Sequence, residues 1–436
     1  MTQNISISET AHSASLEKGT LDLNSPQSLE WLADAGFGLF IHWSVDVQLG
    51  CVISHSLVGA SEDYCDRYFN QLPKTFNPYL FNADSLADLA VIMGVKYVVF
   101  TTKHHNGFCM WNTSTTDFNI MNTPFGRDIL TEYTAALRAR GLKIGFYFSP
   151  EDFRFLYEND QPIARGDRPP YNQAILKKYM DMLEAQLTEL TTRYGRVDMF
   201  FFDGDFAEHC KAVVWKHQPN ILVTRGAIAT PEQSLGNEPS HRVWEACITM
   251  GSAWQYQPTN EEYKSGRRCI ELLIEARARG GSLLLNAGLD SYGRFPEVQD
   301  GLMREIGLWY FINHEALEST RPAPVSREGD IWFTRSKDGS AVYAFLCGEK
   351  DWKRAERRTV RISCLECGES PHAVVLGTSG ERTEYHREGT DAATHITPCE
   401  DGILLDICNA QRIYCAGSKC WPNPLVIKLT GVSFRQ

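Results

Sequence analysis

Residues 98–112, VVFTTKHHNGFCMWN, are the stretch that most directly indicates the fold. A run of apolar residues ends abruptly in Lys103, His104 and His105. Apolar residues in succession, without alternation, are typical of a strand that is buried on both faces of a parallel sheet. Polar residues directly after such a strand lie at the carboxyl edge of the sheet, where barrel proteins place their functional groups.

Six other short stretches share this character, and amphipathic patterns lie between them. The predicted strands are KYVVFTTKHH (96–105), FGLFIHW (37–43), KIGFYFSP (143–150), VDMFFFDG (197–204), ILVTRG (221–226), RVWEACI (242–248) and SLLLNAG (282–288). Helical stripes follow positions 84, 129 and 175. This alternation predicts an α/β fold of the (β/α) TIM-like barrel type. A doubly wound open sheet is the alternative, although no G-x-G-x-x-G or Walker loop favours a nucleotide fold.

The pattern changes after about residue 325. The stretch DIWFTRSKDGSAVYAFL (330–346) contains two short alternating runs around an Asp-Gly pair, which predicts a β-hairpin. Short strands and turns continue to the end and predict a C-terminal antiparallel β-sandwich. We therefore expect an N-terminal extension (1–26), a barrel domain (27–324) and a sandwich domain (325–436).

Composition narrows the range of partners and compartments. The chain has 436 residues and a net charge of -11, which argues against nucleic acid and anionic membranes as partners. Its 13 cysteines are scattered along the chain, and free thiols in a reducing compartment are the simplest interpretation. The sequence lacks an apolar leader and a membrane-length run, so it reads as soluble, and as cytoplasmic unless a signal peptide was removed.

Polar residues follow nearly every predicted strand, and this coincidence predicts one shared pocket. These strand-end residues are His42, Trp43, Lys103, His104, His105, Tyr147, Asp203, Asp205, Arg225 and Glu245. Two kinds of chemistry fit the set. In a metallohydrolase, His42, His104, His105 and Asp203 would be ligands, but adjacent residues on a strand point to opposite faces unless the strand bends.

Glycoside hydrolysis is the second chemistry, and it requires two carboxyl groups on either side of the scissile bond. Asp203 follows the apolar run MFFF, where a carboxylate is costly unless it is paired or used. A helix N-cap is the structural alternative for Asp203.

Several motifs in consistent order resemble the α-L-fucosidases of glycoside hydrolase family 29, from about residue 27 to about residue 320. They are AGFGLFIHWS, KYVVFTTKHHNGF, TPFGRDILTEYTAALRARGLKIGFYFSPED, VDMFFFDGD, TPEQ, VWEACITMGSAWQY and RGGSLLLNAG. The resemblance implies a barrel followed by a β-sandwich and a retaining, exo-acting α-L-fucosidase. The implied substrate is a fucosylated oligosaccharide or glycoconjugate, without a metal or other cofactor, and the sequence leaves both a monomer and a homo-oligomer open.

The resemblance also implies roles for individual residues. Asp203 matches the nucleophile, and Glu232 in TPEQ is the expected acid/base, with Glu238 and Glu245 as alternatives. The residues expected to bind the sugar are His42, His104, His105, Tyr147, Phe201, Arg225 and Trp254, of which Phe201 and Trp254 would face the C5 methyl group of fucose. The chain departs from the family pattern at Ser44, Asn106 and Phe201. The same pocket leaves α-L-galactosidase activity and non-catalytic binding of fucose as competing functions.

Overall fold

The computed structural model describes residues 21–53, 57–164, 171–236, 242–349, 351–383, 391–411 and 423–435. Its main element is a parallel sheet of seven strands in the order β5-β4-β3-β2-β1-β7-β6. These strands are β1 Phe37–His42, β2 Tyr97–Lys103, β3 Lys143–Phe148, β4 Met199–Phe202, β5 Leu222–Val223, β6 Glu245–Thr249 and β7 Ser282–Gly288. Each coincides with a predicted strand. Strands β1 to β5 are neighbours in sequence order, and β7, with β6 at its other side, pairs with β1. This order is typical of a curled, barrel-like sheet.

Nine α-helices of the described residues connect the strands and flank the sheet. They are α1 Pro26–Ala35, α2 Glu62–Thr75, α3 Ala83–Met93, α4 Ile129–Ala139, α5 Phe153–Glu158, α6 Gln173–Thr192, α7 Ala207–His217, α8 Gly266–Ala278 and α9 Glu297–Asn313. The three predicted helical stripes correspond to α3, α4 and α6. Their N-caps are Asn82, Asp128 and Asn172, whose side chains accept hydrogen bonds from backbone N–H groups of the first turn. None of the described helices is long and apolar enough to cross a membrane.

Alternation along the strands creates two apolar layers. Phe40, Tyr97, Val99, Tyr147, Met199, Phe201, Leu222, Cys247 and Leu284 pack together on the inner, concave side of the sheet. The residues between them, such as Leu39, Phe100 and Phe200, pack against the helices. Because side chains two positions apart share a face, this register also places the strand-end residues His42 and Asp203 on the inner side.

The segment after β5 continues to the other edge of the sheet. Isolated parallel bridges join Ala229 to Trp244 and Glu232 to Cys247, so residues 229–232 lie beside β6. The expected α/β class is therefore confirmed as a curled, parallel half-barrel of seven strands, accompanied by antiparallel sheets.

The C-terminal strands form two antiparallel sheets, one of five strands in the order β12-β15-β10-β9-β8 and one of three in the order β11-β14-β13. They are β8 Thr320–Glu328, β9 Ile331–Ser336, β10 Ala341–Leu346, β11 Arg357–Ile362, β12 Leu365–Val375, β13 His395–Cys399, β14 Gly402–Cys408 and β15 Leu425–Phe434. The predicted hairpin is confirmed by the pairing of β9 with β10, and Gly339 in its turn has a φ of 75°. Phe333, Ile427 and Leu405 belong to one core shared by both sheets. Strand β8 crosses the predicted boundary at 324/325.

Arg277 joins the half-barrel to the start of the C-terminal sheets. This side chain is only 2% exposed. Its guanidinium donates to the carbonyl oxygens of Leu317, Gly281 and Ala33, at 3.0, 2.8 and 2.8 Å. These three acceptors come from different segments of the chain, so a single side chain satisfies buried carbonyls of the α1 end, the β7 start and the β8 start.

Replacing Arg277 by methionine is expected to lower the free energy of unfolding by about 3 kcal/mol or more, because it leaves several buried carbonyl groups without a donor. Urea unfolding followed by circular dichroism measures this change. Arg304→Met is the matched control, since Arg304 forms only an exposed ion pair with Asp300 on α9. Equal stabilities of the two variants would contradict this account of Arg277.

Candidate active site

Asp203 lies at the centre of the strand-end cluster, directly after β4. The Tyr147 hydroxyl donates to its Oδ2 at 2.7 Å, and Arg225 Nη1 donates to its Oδ1 at 3.2 Å. Its side chain is 20% exposed, so a small molecule can reach it. The N-cap interpretation is wrong, because the cap position of α7 is Phe206 and no side chain caps that helix. Asp203 is thus a held but accessible carboxylate, as a nucleophile requires.

Arg225 joins Asp203 to a second carboxylate. Its Nη2 donates to Glu232 Oε2 at 2.8 Å, and its guanidinium lies 4.7 Å from the ring centre of Phe201. The bridge to Cys247 holds the backbone of Glu232 beside β6, while 43% of the glutamate side chain is exposed. One arginine therefore brings two accessible carboxylates to the same mouth of the sheet.

The hydrogen bonds around His42 define its protonation. Asn286 donates through Nδ2 to the carbonyl oxygen of Trp254 at 2.7 Å, so its Oδ1 is the acceptor that lies 2.6 Å from His42 Nδ1. Burial lowers the pKa of His42 to about 4. His42 is thus neutral near pH 7, with its hydrogen on Nδ1 and a lone pair on Nε2 that can accept a hydrogen bond from a hydroxyl group.

His104 has the opposite tautomer. Its Nδ1 accepts the backbone N–H of His105 at 2.9 Å, so a neutral ring carries its hydrogen on Nε2. The ring stacks on Tyr147 with centroids 5.0 Å apart, and its centroid lies 5.6 Å from that of His42. An acceptor and a donor imidazole side by side suit the hydroxyl groups of a sugar.

The expectation that His104 and His105 point to opposite faces is wrong. The pairing of β2 with β3 shifts register between Thr101 and Lys103, and the strand ends there. Freed from regular alternation, the two imidazole rings lie 4.3 Å apart, and one nitrogen of each falls within 4.8 Å of an Asp203 oxygen. Such a group of atoms has the composition of a metal site, although Arg225 on the same carboxylate would repel a cation.

The two predicted aromatic residues lie in different places. The Trp254 ring lies 4.9 Å from His42 and is partly exposed, so it forms part of the pocket surface. Phe201 is only 2% exposed, stacks on Tyr147 at 5.7 Å and lies under Arg225. Phe201 therefore supports the groups that hold Asp203, whereas Trp254 faces the pocket.

Glu245 and Glu238 differ from Glu232 in position. Glu245 is the first residue of β6 and pairs with Ser282, the first residue of β7, so it lies at the amino-terminal end of the sheet. It is fully buried and accepts a hydrogen bond from the Tyr97 hydroxyl at 2.5 Å. Burial raises the pKa of its carboxyl group to about 7. Glu238 lies outside the described residues.

Sequence reasoning missed Asn286, Ser149 and Glu151. Glu151 Oε2 lies 3.6 Å from His105 Nδ1, and the Ser149 hydroxyl lies 2.5 Å from the same nitrogen. The motif SPED after β3 was a signal for both residues, since it is polar and directly follows an apolar strand. Lys103 is not at the pocket: its Nζ forms an ion pair at 3.0 Å with Asp152, and both side chains are buried.

Two accessible carboxylates and several hydrogen-bonding side chains at the strand ends of a curled parallel sheet are typical of a glycoside hydrolase. Comparison with known proteins agrees. The family model described as Alpha-L-fucosidase matches residues 4–315. The chain is 25% identical to the α-L-fucosidase of Dictyostelium discoideum over 88% of this chain and 90% of that protein. It is 27% identical to the plasma α-L-fucosidase of Rattus norvegicus over 72% of this chain and 76% of that protein.

Solved structures show the same relationship. The α-L-fucosidase isoenzyme 1 from Paenibacillus thiaminolyticus is similar with a TM-score of 0.72 and 26% identity, and the match covers 93% of this chain and 98% of that one. A bacterial fucosidase solved with an inhibitor shares the fold, with a TM-score of 0.73 at 23% identity over 98% of both chains. The chain belongs to the α-L-fucosidase family. The expected family, glycoside hydrolase class and α-L-fucosidase function are confirmed.

The buried Glu245 predicts a pH-dependent stability. Its folded-state pKa of about 7 exceeds the ordinary value of 4.5, so between these pH values the folded protein holds a proton that the unfolded chain has lost. The contribution of this carboxyl group to the free energy of unfolding is therefore lost as pH rises. One pKa unit corresponds to about 1.4 kcal/mol. The free energy of unfolding of Glu245→Gln should therefore rise by about 3 kcal/mol relative to that of wild type when the pH is raised from 4.5 to 7.5.

Urea unfolding at both pH values measures this difference. Glu369→Gln changes an exposed carboxylate on β12 and is the control, for which we expect no pH-dependent difference. A constant difference between Glu245→Gln and wild type across this range would show that Glu245 is ionised in the folded protein.

Proposed function

We propose that this α-L-fucosidase cleaves terminal α-L-fucosyl residues by double displacement, with Asp203 as nucleophile and Glu232 as acid/base. The observation that carries the proposal is the guanidinium of Arg225, which donates to both carboxylates. A retaining glycosidase needs two carboxyl groups about 5–5.5 Å apart on either side of the scissile bond. One arginine that binds both groups is a direct way to hold them at such a separation.

In the first step, Asp203 attacks the anomeric carbon while Glu232 gives its proton to the departing glycosidic oxygen. Tyr147 and Arg225 orient the attacking carboxylate through the two hydrogen bonds on its oxygens. In the second step, Glu232 takes a proton from water, and the resulting hydroxide displaces Asp203 from the anomeric carbon.

The sugar is held through its hydroxyl groups. His42 Nε2 acts as an acceptor and His104 Nε2–H as a donor, while Trp254 offers an apolar surface for the C5 methyl group. We propose that these histidines bind sugar rather than metal, because Asp203, the third member of the candidate metal group, is already bound by Tyr147 and Arg225. L-Galactose differs from L-fucose by one added hydroxyl, which an apolar surface rejects only weakly, so α-L-galactosides are expected as poorer substrates.

We also propose a closed barrel, a β-sandwich and a boundary between them. Residues 224–233 pass from β5 to the edge of β6, and we infer that they close the curled sheet into a (β/α) barrel. The shared core of the two C-terminal sheets supports a β-sandwich. We keep the division into an extension (1–26), a barrel domain (27–324) and a sandwich domain (325–436), with β8 as the strand that links the last two.

The acid/base role of Glu232 predicts a dependence on the leaving group. A general acid matters most when the leaving group is poor. Glu232→Ala should therefore lose about 100-fold or more in kcat/KM on a fucosylated disaccharide, within the usual range for a general acid. It should lose far less on 2,4-dinitrophenyl α-L-fucoside, and added azide should speed release of the glycosyl-enzyme. Steady-state and burst kinetics measure both effects.

Glu245→Gln and Glu238→Ala are the controls for this assignment. Both should retain the wild-type ratio of rates on the two substrates. If one of them shows the strong leaving-group dependence and Glu232→Ala does not, the acid/base role belongs to that residue. Binding of L-fucose without turnover of either substrate by the wild-type protein would instead favour a non-catalytic binding protein.

A further inference from the structure

Two buried acidic residues in the motif SPED lie opposite the cationic side chains of KHH. Asp152 Oδ2 lies 3.0 Å from Lys103 Nζ, and Glu151 Oε2 lies 3.6 Å from His105 Nδ1. Glu151 is 4% exposed and Asp152 is 2% exposed. Carboxylates buried to this extent need a charged or hydrogen-bonded partner. The pair of Asp152 and Lys103 is structural, because Asp152 also caps α5. In the pair of Glu151 and His105, the histidine also lies beside Asp203.

Ser149 and Glu151 both lie beside Nδ1 of His105. The Ser149 hydroxyl donates to the carbonyl oxygen of Glu151 at 3.2 Å and accepts the Glu151 N–H at 3.0 Å. The same hydroxyl lies 2.5 Å from His105 Nδ1 and can accept a hydrogen bond from it. Glu151 Oε2, 3.6 Å from this nitrogen, favours a hydrogen on Nδ1.

The other nitrogen of His105 faces the nucleophile. His105 Nε2 lies 3.6 Å from Asp203 Oδ2. A neutral ring with its hydrogen on Nδ1 would direct a lone pair at this carboxylate, which is repulsive. A doubly protonated ring places an N–H there instead, and it lies between two carboxylates that both stabilise its charge.

Glu151 also contacts the chain directly after the nucleophile. Gly204 has a φ of 127°, and a Cβ atom at this position would lie 2.9 Å from Glu151 Cγ. The glutamate side chain therefore packs against the backbone that follows Asp203. It touches the nucleophile's neighbour on one side and the histidine facing the nucleophile on the other.

We propose that Glu151 is a positioning residue that keeps His105 as an imidazolium ion, with its Nε2–H directed at Asp203. This inference rests on the proposed role of Asp203 as nucleophile. The polar and charged groups around His105 include Glu151, Asp203, Ser149 and the ring of His104, while Phe153 covers another side of the ring. Glu151 is 4% exposed, so it acts on the reaction through His105.

The test is the pH profile of kcat/KM for Glu151→Gln on an aryl α-L-fucoside. The substitution retains the size of the side chain and removes its charge, so His105 should lose its proton at lower pH. We expect the alkaline limb to move by about one pH unit to lower pH and kcat/KM at neutral pH to fall on the order of tenfold. Glu151→Asp, which keeps the charge, should restore much of the wild-type profile.

Asp152→Asn is the matched control, because it removes the neighbouring buried carboxylate and its ion pair with Lys103. It should lower the melting temperature but leave the shape of the pH profile unchanged. If the profile of Glu151→Gln superimposes on that of wild type, the proposal is wrong. If wild type itself does not hydrolyse the fucoside, the proposed function fails rather than the role of Glu151.

A measurement on the wild-type protein covers the case in which Glu151→Gln does not fold. The ¹⁵N chemical shifts of histidine side chains distinguish imidazolium from neutral imidazole, and His105→Gln identifies the signal. Imidazolium shifts for both nitrogens of His105 at pH 7 are expected. A neutral tautomer at that pH would overturn the proposal.

Discussion

The proposed active site depends on the contacts that the guanidinium of Arg225 makes with two carboxylates. This guanidinium binds Asp203 and Glu232 at once and stacks on Phe201, so it links the carboxyl edge of β4 with the segment beside β6. Three features of the fold place this guanidinium: the two-residue strand β5, the turn that follows it, and the segment that returns the chain to β6. Without this cation, two carboxylates at the mouth of one sheet would repel each other.

Much of this arrangement follows from local sequence. Strands buried on both faces lack polar residues until they end, so the strand-end residues are visible as interruptions of apolar runs. Alternation then places His42 and Asp203 on the inner face, in register with Phe40 and Phe201. This regularity is why the parallel sheet and most members of the pocket could be predicted from the amino-acid sequence.

Other features depend on contacts between distant parts of the chain, and sequence spacing does not show them. The end of β2 leaves regular alternation, which turns His104 and His105 to the same side and sends Lys103 to Asp152. The proposed role of Glu151 depends on the pairing of β3 with β2, which brings Glu151 to His105. The predicted strand 221–226 is reduced to Leu222–Val223, because Gly226 has a φ of 101° and the chain turns to present Arg225.

The most direct test of this account is the site of covalent labelling by 2-deoxy-2-fluoro-α-L-fucosyl fluoride, read by mass spectrometry of peptides. The fluorine slows both steps, and the fluoride leaving group lets the first one proceed, so the glycosyl-enzyme accumulates. The account predicts a single modified peptide, with the sugar on Asp203. A label on another carboxylate, or inversion at the anomeric carbon without any label, would contradict it.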